Sequence, residues 1–236
     1  MFTFKTKVSY SRVDRNGNVP LYEIMNYFQD CTTFQSEELG AGIGFMEKRQ
    51  RAWIIVAYKI QINQQIKLGQ DICVGTAPTQ FKGMLAYRNY VIKDSEGNKL
   101  VQADSLWILM DMQNRKPTRI TEADTAMYKI EEGFENLKAN RKIYFEGEKK
   151  AFPPFKVLKT YIDNNGHMNN AEYLRVAQEF LPANQNWKSL NIVYNKEAME
   201  GEEIVPYIYE ESDGIGICFE SVTGEILTKI KLQSED

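Results

Sequence analysis

At 236 residues, with 43% hydrophobic and 12% aromatic side chains, the chain has enough apolar material for a sizeable core, which excludes a disordered protein. A net charge of -3 excludes a general nucleic-acid binder, which needs a concentrated basic surface. Cys31, Cys73 and Cys218 are odd in number and lack metal-ligand spacing, the N-terminus MFTFKTKVSY has no signal-peptide core, and no apolar run approaches a membrane span, so a soluble cytoplasmic protein without metal or cofactor is expected.

Residues 2–10 alternate like a strand. Leu21, Ile24, Met25 and Phe28 then fall at i, i+3, i+4 and i+7, which predicts a helix with Asn18 as N-cap, Pro20 in its first turn and an end near the glycines at 40 and 42. Four strands are predicted at 52–62, 71–81, 84–94 and 100–110, with SEGN at 95–98 as a hairpin turn. Residues 121–150 are charged and weakly patterned and read as a linker with room for a short helix. Order then resumes with a strand at 155–161, the polar turn DNNG, and a helix with apolar positions Tyr173, Leu174, Ala177 and Leu181. Strands follow at 189–195, 203–211, 214–220 and 226–231, with ESDG and VTG as turns between them.

The second series repeats the first. Asp14, Asn16, Gly17 and Glu23 map onto Asp163, Asn165, Gly166 and Glu172 at an offset of 149 residues. Ile60, Asn63, Gly69 and Ile72 map onto Ile192, Asn195, Gly201 and Ile204 at an offset of 132. In these registers Asn18 stands opposite His167, the only histidine, and Gln65 stands opposite Glu197. Both titratable groups of the second copy are neutral amides in the first, the pattern expected if two sites descended from one and only the second still moves protons. Two modules are therefore predicted, at 1–130 and 153–236, joined by a linker at 131–152. A strand, a buried helix and four antiparallel strands, given twice, predict an α+β double hot-dog fold with two sheets, each wrapping a helix, joined edge to edge.

With that architecture in hand, the motifs resemble those of the acyl-ACP thioesterases over essentially the whole chain. DNNGHMNNAEYL is similar to the family's D-x-N-x-H-V-N-N-x-x-Y signature, VYNKEAMEGEEI to its E-Y-R-R-E-C-G stretch, AWIIVAYKIQI to its tryptophan-led strand, and QADSLWILMDMQNRKPTRI to the end of its first hot dog. The resemblance implies hydrolysis of a fatty acyl thioester on acyl carrier protein (ACP), with catalytic roles for Asp163, Asn165, His167 and Glu197. Ala198 departs from the cysteine that many members carry there, so the chemistry is expected to proceed without that thiol. A water-based route also fits the absence of a nucleophile-elbow motif. Glu197 and Asp163 are both candidate general bases, with Glu197 favoured, while backbone N–H groups at the helix start near Asn169 are expected to serve an oxyanion.

Three other readings share this framework: an acyl-CoA thioesterase, a hot-dog enoyl-thioester hydratase and a non-catalytic acyl-binding module. Titratable groups kept in one copy alone argue against the pure binder. The first module is expected to hold the acyl chain, with Trp53, Trp107, Met25, Met46, Met84 and Met110 as mostly core residues, some of them facing the chain. Cys31 and Cys218 are expected in the core. Lys142, Lys149, Lys150, Lys156 and Lys159 are candidates for docking an acidic carrier protein. The double module suffices as a monomer and also permits a homodimer.

Overall fold

Alternation in FTFKTK produces strand β1 (Phe2–Lys7), in which every second side chain is half-buried. The strand ends earlier than the pattern predicts because the chain tightens into a 3₁₀ turn at Tyr10–Arg12. Helix α1 (Leu21–Glu38) buries Leu21, Ile24, Met25, Phe28 and Cys31 and packs on β3 (Asp71–Lys82). Its N-cap is Pro20 and not the predicted Asn18, whose backbone N–H is instead held by Asp14 Oδ1 at 3.0 Å. A short α2 (Ile43–Lys48) leads into β2 (Arg51–Ile62), and the antiparallel sheet of this unit runs β1-β3-β4-β5-β2, with β4 at Leu85–Asp94 and β5 at Lys99–Asp111. A two-residue β6 (Lys116–Pro117) pairs with β5. The computed structural model describes residues 1–182 and 185–234, and the chain divides into two units, Met1–Ala139 and Asn140–Asp236.

Part of the stretch read as a linker is tied to the first unit. The short helix α3 (Glu122–Thr125) starts on a Thr121–Asp124 capping box. Buried Asp124 also receives Arg49 at 2.9 Å and Arg51 at 2.7 Å. Beyond it, Phe134 N–H donates to Asn89 Oδ1 and Ala139 N–H to Asp104 Oδ2, both at 2.8 Å, while Asn89 Nδ2 donates to Asp104 Oδ1 at 2.6 Å. Burial pushes the Asp104 carboxyl up to about 6, against the opposing pull of the Ala139 amide. An unfolded Asp titrates near 3.9, so the folded chain holds the extra proton between about pH 4 and 6. Stability is therefore expected to fall by about 3 kcal/mol as pH rises through that window and then to level off. Asp104→Asn removes this slope, which denaturant melts at pH 4.5, 5.5 and 7 would read.

The second unit contains β7 (Lys149–Ala151), β8 (Phe155–Lys156), α4 (Asn170–Ala177), β9 (Trp187–Tyr194), β10 (Glu203–Glu211), β11 (Gly214–Ser221) and β12 (Ile226–Ser234). Its order is β9-β12-β11-β10-β7, with β8 on another part of β10. The strand predicted at 155–161 is cut to two residues by a 3₁₀ turn at Lys159–Tyr161. The predicted periodicity through Leu181 likewise ends sooner, α4 passing into a 3₁₀ turn at Gln178–Phe180.

Hydrogen bonds bear out the repeat. Val19 N–H donates to Ile66 O at 2.8 Å, as Met168 N–H does to Ala198 O at 2.8 Å. Gly69 N–H donates to Val8 O at 2.9 Å, as Gly201 N–H does to Val157 O at 2.9 Å. Strand pairing adds a third offset, 127: Ile62 faces Val101 in β2–β5 as Tyr194 faces Thr228 in β9–β12. Interior bulk is distributed differently. In the first unit Phe28 stacks on Tyr90 at 4.6 Å and on Tyr58 at 6.4 Å, while Ile24, one turn before Phe28 on α1, is buried, as are Ile62 on β2 and Ile92 on β4. The counterparts of the aromatic trio are Ala177, Leu190 and Ile217, and the counterparts of the isoleucines are Tyr173, Tyr194 and Phe219. The aromatic cluster has thus moved from the middle of the helix to its beginning.

Candidate catalytic site

The second unit assembles its site on one turn and one loop. Asp163 folds the turn as an Asx motif, its Oδ1 accepting from Asn165 N at 2.8 Å and from His167 N at 3.4 Å. Gly166 adopts φ +82, the left-handed conformation that this turn requires. Asp163 N–H closes the turn on His167 O at 2.9 Å, and Asn169 caps α4 by accepting from Ala171 N at 2.8 Å. That cap occupies the Ala171 amide, which removes one of the helix-start donors expected to serve an oxyanion.

Glu197 arrives on the loop that follows β9. The loop is pinned where Ala198 O accepts from Met168 N and where Gly201, at φ +83, donates to Val157 O. Ala198 is fully buried. As a result His167 Nε2 lies 3.1 Å from Glu197 Oε2, with the imidazole mostly buried and the carboxylate 52% exposed. The four sequence-predicted residues are thus placed in two pairs. Asp163 and Asn165 share the turn, with Asn165 Nδ2 at 3.4 Å from Asp163 Oδ2, and His167 meets Glu197. Asp163 is engaged as the turn's acceptor, whereas Glu197 faces the imidazole and lines an open cleft with Lys196, Glu202, Glu203, Ser221 and Leu227.

Neither buried thiol offers an alternative. Burial pushes Cys31 up to about 12, and burial together with the Glu220 carboxylate pushes Cys218 up to about 12 as well, so both stay protonated at neutral pH. Among the described residues no cluster of His, Cys, Asp and Glu has the make-up of a metal site.

In the first unit an open cleft is lined by Thr32, Trp53, Phe81, Arg88, Trp107 and Tyr128. Arg88 is buried, donates to Gln35 at 2.5 Å and to Thr76 at 3.1 Å, and lies 5.7 Å over the Tyr128 ring. Sequence reasoning missed this polar group because its partners are scattered over three elements. Met25 and Met46 are buried as expected, Met110 is half-buried, and Met84 is an exposed residue at the β3–β4 turn.

Residues 1–128 match the N-terminal domain of acyl-ACP thioesterases and residues 144–235 match their C-terminal domain. The chain is 28% identical over 205 residues to a chloroplastic acyl-(acyl-carrier-protein) hydrolase of Cuphea viscosissima, covering 78% of this chain and 48% of that protein. It is 24% identical over 203 residues to a chloroplastic palmitoyl-acyl carrier protein thioesterase of Arabidopsis thaliana, with the same coverage of 78% and 48%. The chain spans about half the length of these curated relatives. Its fold superposes on the crystal structure of an acyl-ACP thioesterase from Bacteroides thetaiotaomicron with a TM-score of 0.90 at 19% identity, covering 99% of this chain and 97% of that one. A 12:0-ACP thioesterase from Umbellularia californica matches with a TM-score of 0.84 at 16% identity, covering 100% and 98%. These likenesses establish a double hot-dog fold, and with both domains matched in order, the chain belongs to the acyl-ACP thioesterase family.

Proposed function

We propose that this protein hydrolyses the thioester joining a fatty acyl chain to the phosphopantetheine of acyl carrier protein, releasing free fatty acid. The observation that carries the reading is the 3.1 Å contact of His167 with Glu197, formed in the one copy that kept both titratable groups. Glu197 takes a proton from water as the oxygen attacks the thioester carbonyl carbon. His167 orients the carboxylate and donates to the developing oxyanion, and Asp163 with Asn165 holds the imidazole's turn in place. Collapse of the tetrahedral intermediate breaks the C–S bond, and the proton held by Glu197 passes to the sulfur. The carboxylic acid and the thiol then leave. Ala198 at the position of the family's cysteine accords with a route that uses water as the nucleophile.

The first unit's cleft, walled by Trp53, Phe81 and Trp107, is our candidate for the acyl chain. Of the lysines considered for carrier docking, Lys149 is engaged with Glu220 at 2.7 Å and lies over the Tyr207 ring, which leaves the exposed Lys142, Lys150, Lys156 and Lys159. The test is free-thiol release from a panel of acyl-ACP and acyl-CoA thioesters. ACP substrates are expected to give the higher kcat/KM. Faster turnover of the CoA series would reassign the carrier, and no release from either would overturn the reading.

A further inference from the structure

Three hydroxyls sit in the interior of the second unit where the first is aliphatic. Tyr173, Tyr194 and Thr228 occupy the positions of Ile24, Ile62 and Val101. The hydroxyls of Tyr173 and Thr228 lie near one another, outside hydrogen-bond geometry and without another partner among the described residues. Burying an unpaired hydroxyl is unfavourable, and the first unit shows that the fold does not need one at any of these positions. Their retention beside the site therefore calls for a reason other than packing.

Tyr194 supplies that reason. Its hydroxyl donates to Asn170 O at 3.0 Å. Asn170 stands three residues after His167, and Glu197 stands three residues after Tyr194, so this bond joins the backbone bond from Met168 to Ala198 in tying the stretch carrying the imidazole to the stretch carrying the carboxylate. The Tyr194 ring is itself held, packed at 6.1 Å and 59° against Tyr173 and facing Thr228 across the β9–β12 ladder. In the first unit, where Ile62 has no hydroxyl, the same two stretches carry a second backbone bond beside the one from Val19 to Ile66, Leu68 N–H donating to Gly17 O at 2.9 Å. That backbone bond has no counterpart between Glu200 and Gly166 among the described residues. The second unit thus keeps the backbone bond from Met168 to Ala198, lacks the second one, and adds a side-chain tie to the helix start.

We propose that Tyr194 is a positioning residue that sets the separation of His167 and Glu197, an inference that rests on the thioesterase reading for its kinetic consequence. Tyr194→Phe is expected to lower kcat about tenfold with KM changed less than about twofold, because misalignment acts on the chemical step. In a Glu197→Gln background the same change is expected to cost less than about twofold, the coupling that a double-mutant cycle reports. His167 is the only histidine, so its Nε2 gives a single imidazole resonance in ¹⁵N spectra. That resonance should move in Glu197→Gln and in the same direction in Tyr194→Phe. Equal losses in both backgrounds, or an unmoved Nε2 resonance, would overturn the proposal. Should the wild-type protein cleave no thioester, the functional reading fails while the Nε2 resonance still decides whether Tyr194 sets the pair.

Discussion

His167→Ala and Glu197→Gln are each expected to lower kcat/KM for thioester hydrolysis by about 10²- to 10⁴-fold, the range that a lost general acid or base commands. The pair meets at 3.1 Å and acts as a unit, so the double variant should cost little more than the worse single variant. Folding should be nearly untouched, since Glu197 is 52% exposed and its loop is held by the Ala198 carbonyl and the Gly201 amide. Thiol release beside a thermal melt on each variant separates the two effects. Wild-type kcat/KM in Glu197→Gln would transfer the base role to Asp163, and a collapsed melt in either variant would mark the pair as structural.

The largest stability effect is expected in the first unit. Phe28 is fully buried on α1 and stacks on two rings, Tyr90 at 4.6 Å and Tyr58 at 6.4 Å. Phe28→Ala should therefore lower the unfolding free energy by about 4 kcal/mol, transfer loss and cavity together. Denaturant titration reads this directly. A loss under about 1 kcal/mol would mean that α1 and β4 close over the vacated space. Ala177→Gly, at the corresponding position of the second unit, should cost only about 1 kcal/mol, because this position has no ring to lose and the change is one of helix propensity.

Much of the fold was legible because its signals are local or repeated. The heptad-like spacing of Leu21, Ile24, Met25 and Phe28 marked α1, and the recurrence of Asp-x-Asn-Gly marked both entry turns. Comparing the copies also singled out Glu197, which lies in an otherwise unremarkable acidic run. Other features depend on contacts that no periodicity announces. Asn18 has the residue type of an N-cap, yet the Asp14 turn claims its backbone and the helix begins two residues later. Asp104 and Asn89 hold residues 139 and 134 by bonds that span 35 and 45 positions. Tyr194 stands opposite Ile62 in the second register, yet its role emerges only from the contact of its hydroxyl with Asn170 O, which no spacing in the sequence announces.

The opposite placement of bulk in the two interiors bears on how the halves diverged. Phe28, Tyr58 and Tyr90 became, or arose from, small or aliphatic residues, while Ile24, Ile62 and Ile92 stand against Tyr173, Tyr194 and Phe219. Any one of these steps taken alone leaves a void or forces an overpacked ring, each a loss of about 1 to 5 kcal/mol. Exchanges that keep the interior filled are therefore paired ones, and on the helix the pair lies one turn apart, Ile24 and Phe28 standing against Tyr173 and Ala177. The six sites in each half are thus coupled by packing, and restoring one aromatic at the wrong level is expected to require its neighbours to move as well.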